Sequence, residues 1–234
     1  MSTRGRGTEL MACMQLKPLR EAQRASDIKR GLIPDPLKPM RLDEATNFLG
    51  TCEDMCPEFE REEREYQKAV DLLERVRDIF DDFGLLADSV RLQYPGTNRI
   101  DPSRAVKAFH RPAAGNDQPL PSDVRPPHIL KATLDYLFHT LLPTQSLHLT
   151  HPFLRDRTRA VRQDFTMQNE RGAVVIECNE RIARYHILAL GTLREESGFS
   201  ESQELEQLRK GAFSPRVPLR LLTPGSPQIS QRIL

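Results

Sequence analysis

Gly50-Thr51-Cys52-Glu53-Asp54-Met55-Cys56-Pro57-Glu58-Phe59-Glu60-Arg61-Glu62-Glu63-Arg64 is the stretch from which the fold is read. Two cysteines, a proline and a run of charges stand where a loop hands over to a helix. Pro57 fits the first turn of that helix, where its missing N–H has no intrahelical partner to lose, and Glu58 and Glu60 set negative charge at the positive end of the helix dipole. Beyond them Tyr66, Val70, Leu73, Val76, Phe80 and Phe83 recur every three or four residues, which predicts one helix over 58–83, stopped by Gly84. The outer face of this helix carries ten acidic against five basic side chains between residues 58 and 82. It reads as a solvated face braced by pairs such as Glu60 with Arg64, in preference to a dock for a basic partner.

Toward the C-terminus the same logic finds further helices. Asp101 followed by Pro102 predicts an N-cap and first helical position for a short piece over 103–109. Around it lies a proline-rich connection, and loops of that length are either functional or mobile. Pro126 and Pro127 open the next helix, with Leu130, Leu134, Leu137, Phe138 and Leu141 on one face and Pro143 closing it. A third helix is expected over 152–168. A fourth is expected over 174–196, with Val175, Cys178, Ile182, Tyr185, His186, Ala189 and Leu193 inward. No strand-like alternation of comparable length occurs, so the class is all-α, built of stacked amphipathic helices.

Three regions follow. Residues 1–48, with nine basic and six acidic side chains to Leu49 and prolines at 34, 36 and 39, read as an extended and mostly disordered arm. It is either a partner- or RNA-touching tail or a solvated leader, and the leader is the reading preferred. Residues 49–210 form the helical domain. The preceding Glu201–Lys210 resembles the start of a fifth helix, but 211–234, with four prolines and two glycines, reads as an irregular tail of the kind an altered reading frame would produce.

With 34 Lys plus Arg against 33 Asp plus Glu, the net charge of +1 excludes global attraction to nucleic acid or to an anionic membrane. Four cysteines in 234 residues do not make a disulfide framework, and the opening sequence lacks a secretory pattern. A reduced compartment is expected, with no membrane insertion, because no apolar run approaches roughly 18 residues.

Chemistry is sparse. Cys52 and Cys56 have a tolerable spacing for metal ligands, but no second close pair completes four ligands, so the expectation is two small apolar side chains and no metal or cofactor. Of the histidines, His148 and His151 come nearest to a second pair. His186 sits on an apolar stripe and reads as a satisfied core histidine. No glycine-rich phosphate loop or paired-carboxylate constellation is present, so no enzyme is expected and no catalytic residue is assigned. On the third helix Arg155, Arg159 and Arg162 fall within about 60° of one another. Phosphate contact on RNA is one reading of this stripe; salt bridges to neighbouring helices are the preferred one, since few aromatic rings interleave. Arg157, on the apolar side with Leu154, Val161 and Phe165, needs an acidic partner, expected from another helix because Asp164 lies two turns away.

Gly50-Thr51-Cys52, Asp54-Met55-Cys56-Pro57-Glu58, Glu60-Arg61 and Arg64 together resemble the opening motif of the GANP family, the germinal-centre-associated nuclear protein and its yeast suppressor-of-actin counterpart, of the leucine permease transcriptional regulator type. Ala105-Val106-Lys107-Ala108-Phe109, Pro119 to Pro126 and Asp156 to Asp164, including Arg157, follow in the family's order, so the resemblance spans roughly residues 48–210. It implies the repeat-like, solenoid half of a PCI-type domain that in the family ends in a winged helix, which this sequence does not show. It also implies a PCI-type protein partner, a small acidic chain and nuclear pore components, in a TREX-two-like complex that couples transcription to mRNA export in the nucleus. The mechanism would be assembly and RNA hand-over. Three alternatives stay open: a shorter family member acting at the spindle or centrosome or in splicing-linked transcription, a truncated fragment without function, and an RNA-binding module using Arg155, Arg159 and Arg162.

Overall fold

The computed structural model describes residues 6–35, 48–76, 99–111 and 119–212, with side-chain surroundings from residue 16 to residue 210. The expected continuation of a helix to Phe83, its stop at Gly84 and the tail beyond Ala212 lie outside the described residues. Among the described residues the architecture is all-α, with one isolated antiparallel bridge between Arg75 and Ile100. Two compact units form, residues 1–107 with 111–124, and residues 108–110 with 125–234.

In the first unit, helix α1 spans Arg6–Lys29 and corrects the expectation of an extended arm. Its propensity is modest and Pro18 lies inside it, so the helix depends on what it docks against. Arg20 supplies that docking. Its guanidinium donates to both carboxylate oxygens of Asp123 at 2.5 and 2.6 Å and lies 4.1 Å from the Phe59 ring centroid, while Gln23 Nε2 donates to Ser122 Oγ. Gly31, at φ 71°, turns the chain out of the helix.

Helix α2 is Glu58–Tyr66, so the expected long helix ends two turns after it begins. Pro57 is its N-cap, one position before the expected place, and its carbonyl accepts from Arg61 N–H. The chain leaves through Lys68 at φ 56°, and Asp71 caps a 3-10 turn, Leu72–Glu74, by accepting from Leu73 N–H. That break turns Val70 into a small cluster with Cys56, Ile100 and Ala105. Tyr66 and Val76, which the stripe placed inward, are exposed, and Leu73 is half-buried. The piece expected over 103–109 is one turn, in which the Asp101 carboxylate accepts from Ser103 N–H. After it Ala105–Lys107 runs extended, because Lys107 N–H donates to the Met55 carbonyl and so cannot serve a helix.

In the second unit, α3 is Pro127–Asp135, widening into a π turn at Tyr136–Leu141 and a 3-10 turn at Leu142–Thr144. Leu130, Leu134, Leu137, Phe138 and Leu141 are all buried. Helix α4, Leu147–Met167, begins more than a turn before the expected Pro152, which lies within it. Helix α5 is Ala173–Leu193 and buries all seven expected inward residues. Helix α6 is Glu201–Ala212. Helix α5 packs against α3, α4 and α6, so it is the central element of this unit.

Candidate functional site

The loop and α2 motif of the first unit folds around Arg64. Cys52 N–H donates to Val124 O at 3.0 Å and Thr51 N–H to Pro121 O at 2.8 Å, which fixes the loop. The Cys52 thiol donates to the Asp54 carbonyl at 3.3 Å and the Cys56 thiol to the Pro57 carbonyl at 3.7 Å. Arg61 closes the turn by donating to the Cys56 carbonyl at 2.6 Å and to Asp54 Oδ2 at 3.0 Å. Arg64 then reaches inward. It donates to Glu74 at 2.5 and 3.3 Å, to the Cys56 sulfur at 3.1 Å and to the Val106 carbonyl at 3.4 Å, and it lies 3.4 Å from Glu60.

Glu74, fully buried, also accepts from Val106 N–H at 2.7 Å. It pairs with Arg64. The pair of Glu60 with Arg64 exists, but both side chains are buried, so it belongs to the interior and not to a solvated face. Burial pushes the Cys56 thiol well above the usual range, so it stays protonated and is a poor nucleophile. Burial opposes the Arg64 charge, but the Glu74 and Glu60 carboxylates favour it, and the guanidinium stays cationic. Glu58 remains exposed at the helix start, while Pro57 and Cys56 are buried and Met55 half-buried. The set holds a loop, a helix and an extended segment to one another.

The α4 motif of the second unit uses its charges in the same way. Asp164 and Arg125 form a fully buried pair at 2.8 Å, and Gln168 Nε2 donates to the Arg125 carbonyl. Asp156 accepts from Phe109 N–H at 3.1 Å and from Arg157 at 2.5 Å. Arg157 pairs with Asp156 beside it on the same helix, and its guanidinium lies 4.4 Å from the Phe153 centroid. Of the arginine stripe, Arg155 donates to Gln203 Oε1 at 2.8 Å, and Arg162 donates to the Gln207 carbonyl at 2.7 Å and Oε1 at 2.6 Å. Arg159 lies 3.9 Å from the Phe109 centroid.

A buried polar cluster joins α4, α5 and α6. Glu204 is 2.5 Å from His186 Nδ1, 3.5 Å from His151 Nε2 and 3.6 Å from Arg155 Nε. His151 Nδ1 is 2.7 Å from the Tyr185 hydroxyl. Burial pulls both histidines down despite Glu204, which works the other way. Both are therefore neutral at neutral pH. His148 turns to Glu196 instead, 3.7 Å away. Among the described residues no group of three His, Cys, Asp or Glu side chains is placed to hold a metal ion. Glu74, Arg125 and Glu204 escaped the sequence reading. The signal that would have found them is a charged residue standing in phase with apolar neighbours.

A family model described as SAC3/GANP family matches residues 55–214, which takes in Cys56 to Arg64 and all of the α4 motif. The chain belongs to the SAC3/GANP family. It is 52% identical over 198 residues to SAC3 family protein 1 of Schizosaccharomyces pombe, covering 84% of this chain and 18% of that protein. To SAC3 family protein B of Arabidopsis thaliana it is 36% identical over 172 residues, 70% of this chain and 9% of the other. To Protein xmas of Drosophila melanogaster it is 28% identical over 206 residues, 82% and 9% respectively. The chain thus spans 18% or less of the length of these SAC3/GANP relatives.

Proposed function

We propose that the chain is a non-enzymatic helical scaffold of a TREX-two-like complex that couples transcription to the export of mRNA, working in the nucleus at the pores. Its partners would be a PCI-type protein of similar build and a small acidic chain. The observation that supports this reading is the use made of the charges in the family-matched region. Arg64 with Glu74, and Arg125 with Asp164, are spent on buried pairs that fix one segment of a unit to another. A scaffold needs a rigid interior of this kind so that its surfaces keep their geometry.

The test is affinity purification of the tagged chain from nuclear extract, followed by mass spectrometry. Co-purification of a PCI-type partner and a small acidic chain in constant ratio is the expected result. A soluble, folded chain that retains neither at physiological salt would overturn the proposal. Recovery of spindle or splicing proteins in their place would favour the shorter-family-member reading.

A further inference from the structure

A cleft of about 160 Å³ opens between α1 and the start of α2. Leu16, Leu19 and Gln23 of α1 line one side, and Pro57, Glu58 and Phe59 line the other. Apolar surface stands in water here, since Leu19 is 65% exposed and Tyr66, farther along α2, is 47% exposed. At 100° per residue Glu58, Glu62, Tyr66 and Phe59 fall within about 100° of one another. The side of α2 that starts in the cleft with Glu58 and Phe59 therefore continues through Glu62 and Tyr66.

The charge on that side is of one sign. Glu58 is exposed, Glu62 and Glu63 are half-buried, and among the described residues none of the three is ion-paired. The arginines beside them are committed elsewhere: Arg20 to Asp123, Arg61 to Asp54, and Arg64 inward to Glu60 and Glu74. Glu58 answers the helix dipole, but Glu62 and Glu63 lie beyond the first turn, where the dipole no longer accounts for them. Glu58, Glu62 and Tyr66 are spaced about 6 Å apart along the axis. That is close to the repeat of about 6.6 Å between alternate side chains of an extended chain.

We infer that the cleft and the acidic side of α2 dock an extended segment of a partner protein, basic at alternate positions and carrying one bulky apolar side chain that seats against Leu16, Leu19 and Phe59. Sequence spacing alone favoured a solvated acidic face; the open apolar cleft beside it is what the structure adds. Exposed ion pairs are weak one at a time, so the apolar anchor supplies most of the affinity. The carboxylates supply the steering and the choice of partner, and their like charge turns away nucleic acid and acidic chains. The occupant is set by the chemistry of this face alone and does not rest on the export-complex reading.

The test presents the full chain to a phage-displayed library of random dodecapeptides. Enriched sequences should alternate lysine or arginine around a leucine, methionine or phenylalanine. A fluorescein-labelled peptide of the enriched sequence, titrated by anisotropy, should bind about tenfold more weakly to Glu58→Gln/Glu62→Gln/Glu63→Gln and about tenfold more weakly to Leu19→Gln. Its affinity for the unaltered chain should fall as salt is raised. Enrichment of acidic or uncharged peptides overturns the inference, as does no enrichment, or binding indifferent to either variant. Should the triple variant fail to fold, the unaltered chain decides: saturating peptide must slow hydrogen exchange in α1 and α2 while sparing α5, and protection elsewhere refutes the site. Self-association of the chain in sedimentation, abolished by the same substitutions, would make a second copy the occupant and equally refute it. Failure to recover export partners from nuclear extract would leave each of these outcomes as it stands.

Discussion

Arg64→Leu is the substitution that bears hardest on the first unit. The guanidinium stands between Glu74, which is fully buried, and Glu60, also buried, and it donates to Cys56 and Val106 besides. Removing it leaves two carboxylates in the interior without their shared cation, a loss worth about 3–5 kcal/mol. Glu74→Leu should cost about as much, since it takes the nearer of two carboxylates from the guanidinium and frees Val106 N–H. The double variant is the discriminating case. With both charges gone, what remains is the freed Val106 N–H, about 1–3 kcal/mol, and the loss of Arg64 from beside buried Glu60, so the double variant should cost clearly less than the sum of the two single changes. The chain has no tryptophan, so urea unfolding would be followed by far-UV circular dichroism. Because two units need not unfold together, native-state hydrogen exchange at the amides of α2 and of Val106 would isolate the first unit. The reasoning is refuted by an Arg64→Leu cost below about 1 kcal/mol, or by a double variant whose cost equals the sum of the singles.

Other outcomes follow from the second unit. Asp164→Ala leaves the fully buried Arg125 without its carboxylate and should lower stability by about 3–5 kcal/mol in a urea titration; a loss below about 1 kcal/mol would show that the pair is not a main brace. His151 and His186 are held by burial below the ordinary value of 6.5, so below that pH the unfolded chain binds more protons than the folded one. Their contribution is therefore complete above about pH 6.5 and is lost as pH falls from there toward the folded values. The urea midpoint should drop between pH 7 and 5.5, and should drop less in His186→Asn; a flat midpoint refutes this. Gly191 is exposed within α5, and a Cβ built there meets nothing within 4 Å, so Gly191→Ala should stabilise by about 0.5–1 kcal/mol, seen as a raised Tm.

Where a helix buries apolar residues, its inward face was legible. All seven residues placed inward on α5 are buried, as are the five on α3 and its π extension, because the hydrophobic effect writes its period directly into residue type. The first unit was less legible for the converse reason. The buried face of α2 is Glu60 and Arg64, which a search for apolar stripes passes over, and the stripe from Val70 to Val76 was helical in spacing but does not continue the α-helix. What breaks it is a partner far along the chain: Glu74 leaves the helix to meet Val106 N–H and Arg64. Helix α1 was missed likewise, since its docking rests on Asp123, a hundred residues away. In the candidate site the arginine stripe was visible from spacing alone, but Gln203, Glu204 and Gln207 opposite it were not, because no local rule pairs α4 with α6.

The same distant pairings set an order of events during synthesis. Helix α1 and the loop before α2 are made early, yet the carbonyls and the carboxylate that fix them belong to Pro121, Asp123 and Val124. The ribosome must add about 60 residues after Arg64 before those partners exist, a wait of roughly 3–12 s at ordinary rates of elongation. Through that interval Arg20, Thr51 and Cys52 stand without those partners on an unfinished chain. The nascent first half is therefore the stage at which this protein stands most in need of a chaperone.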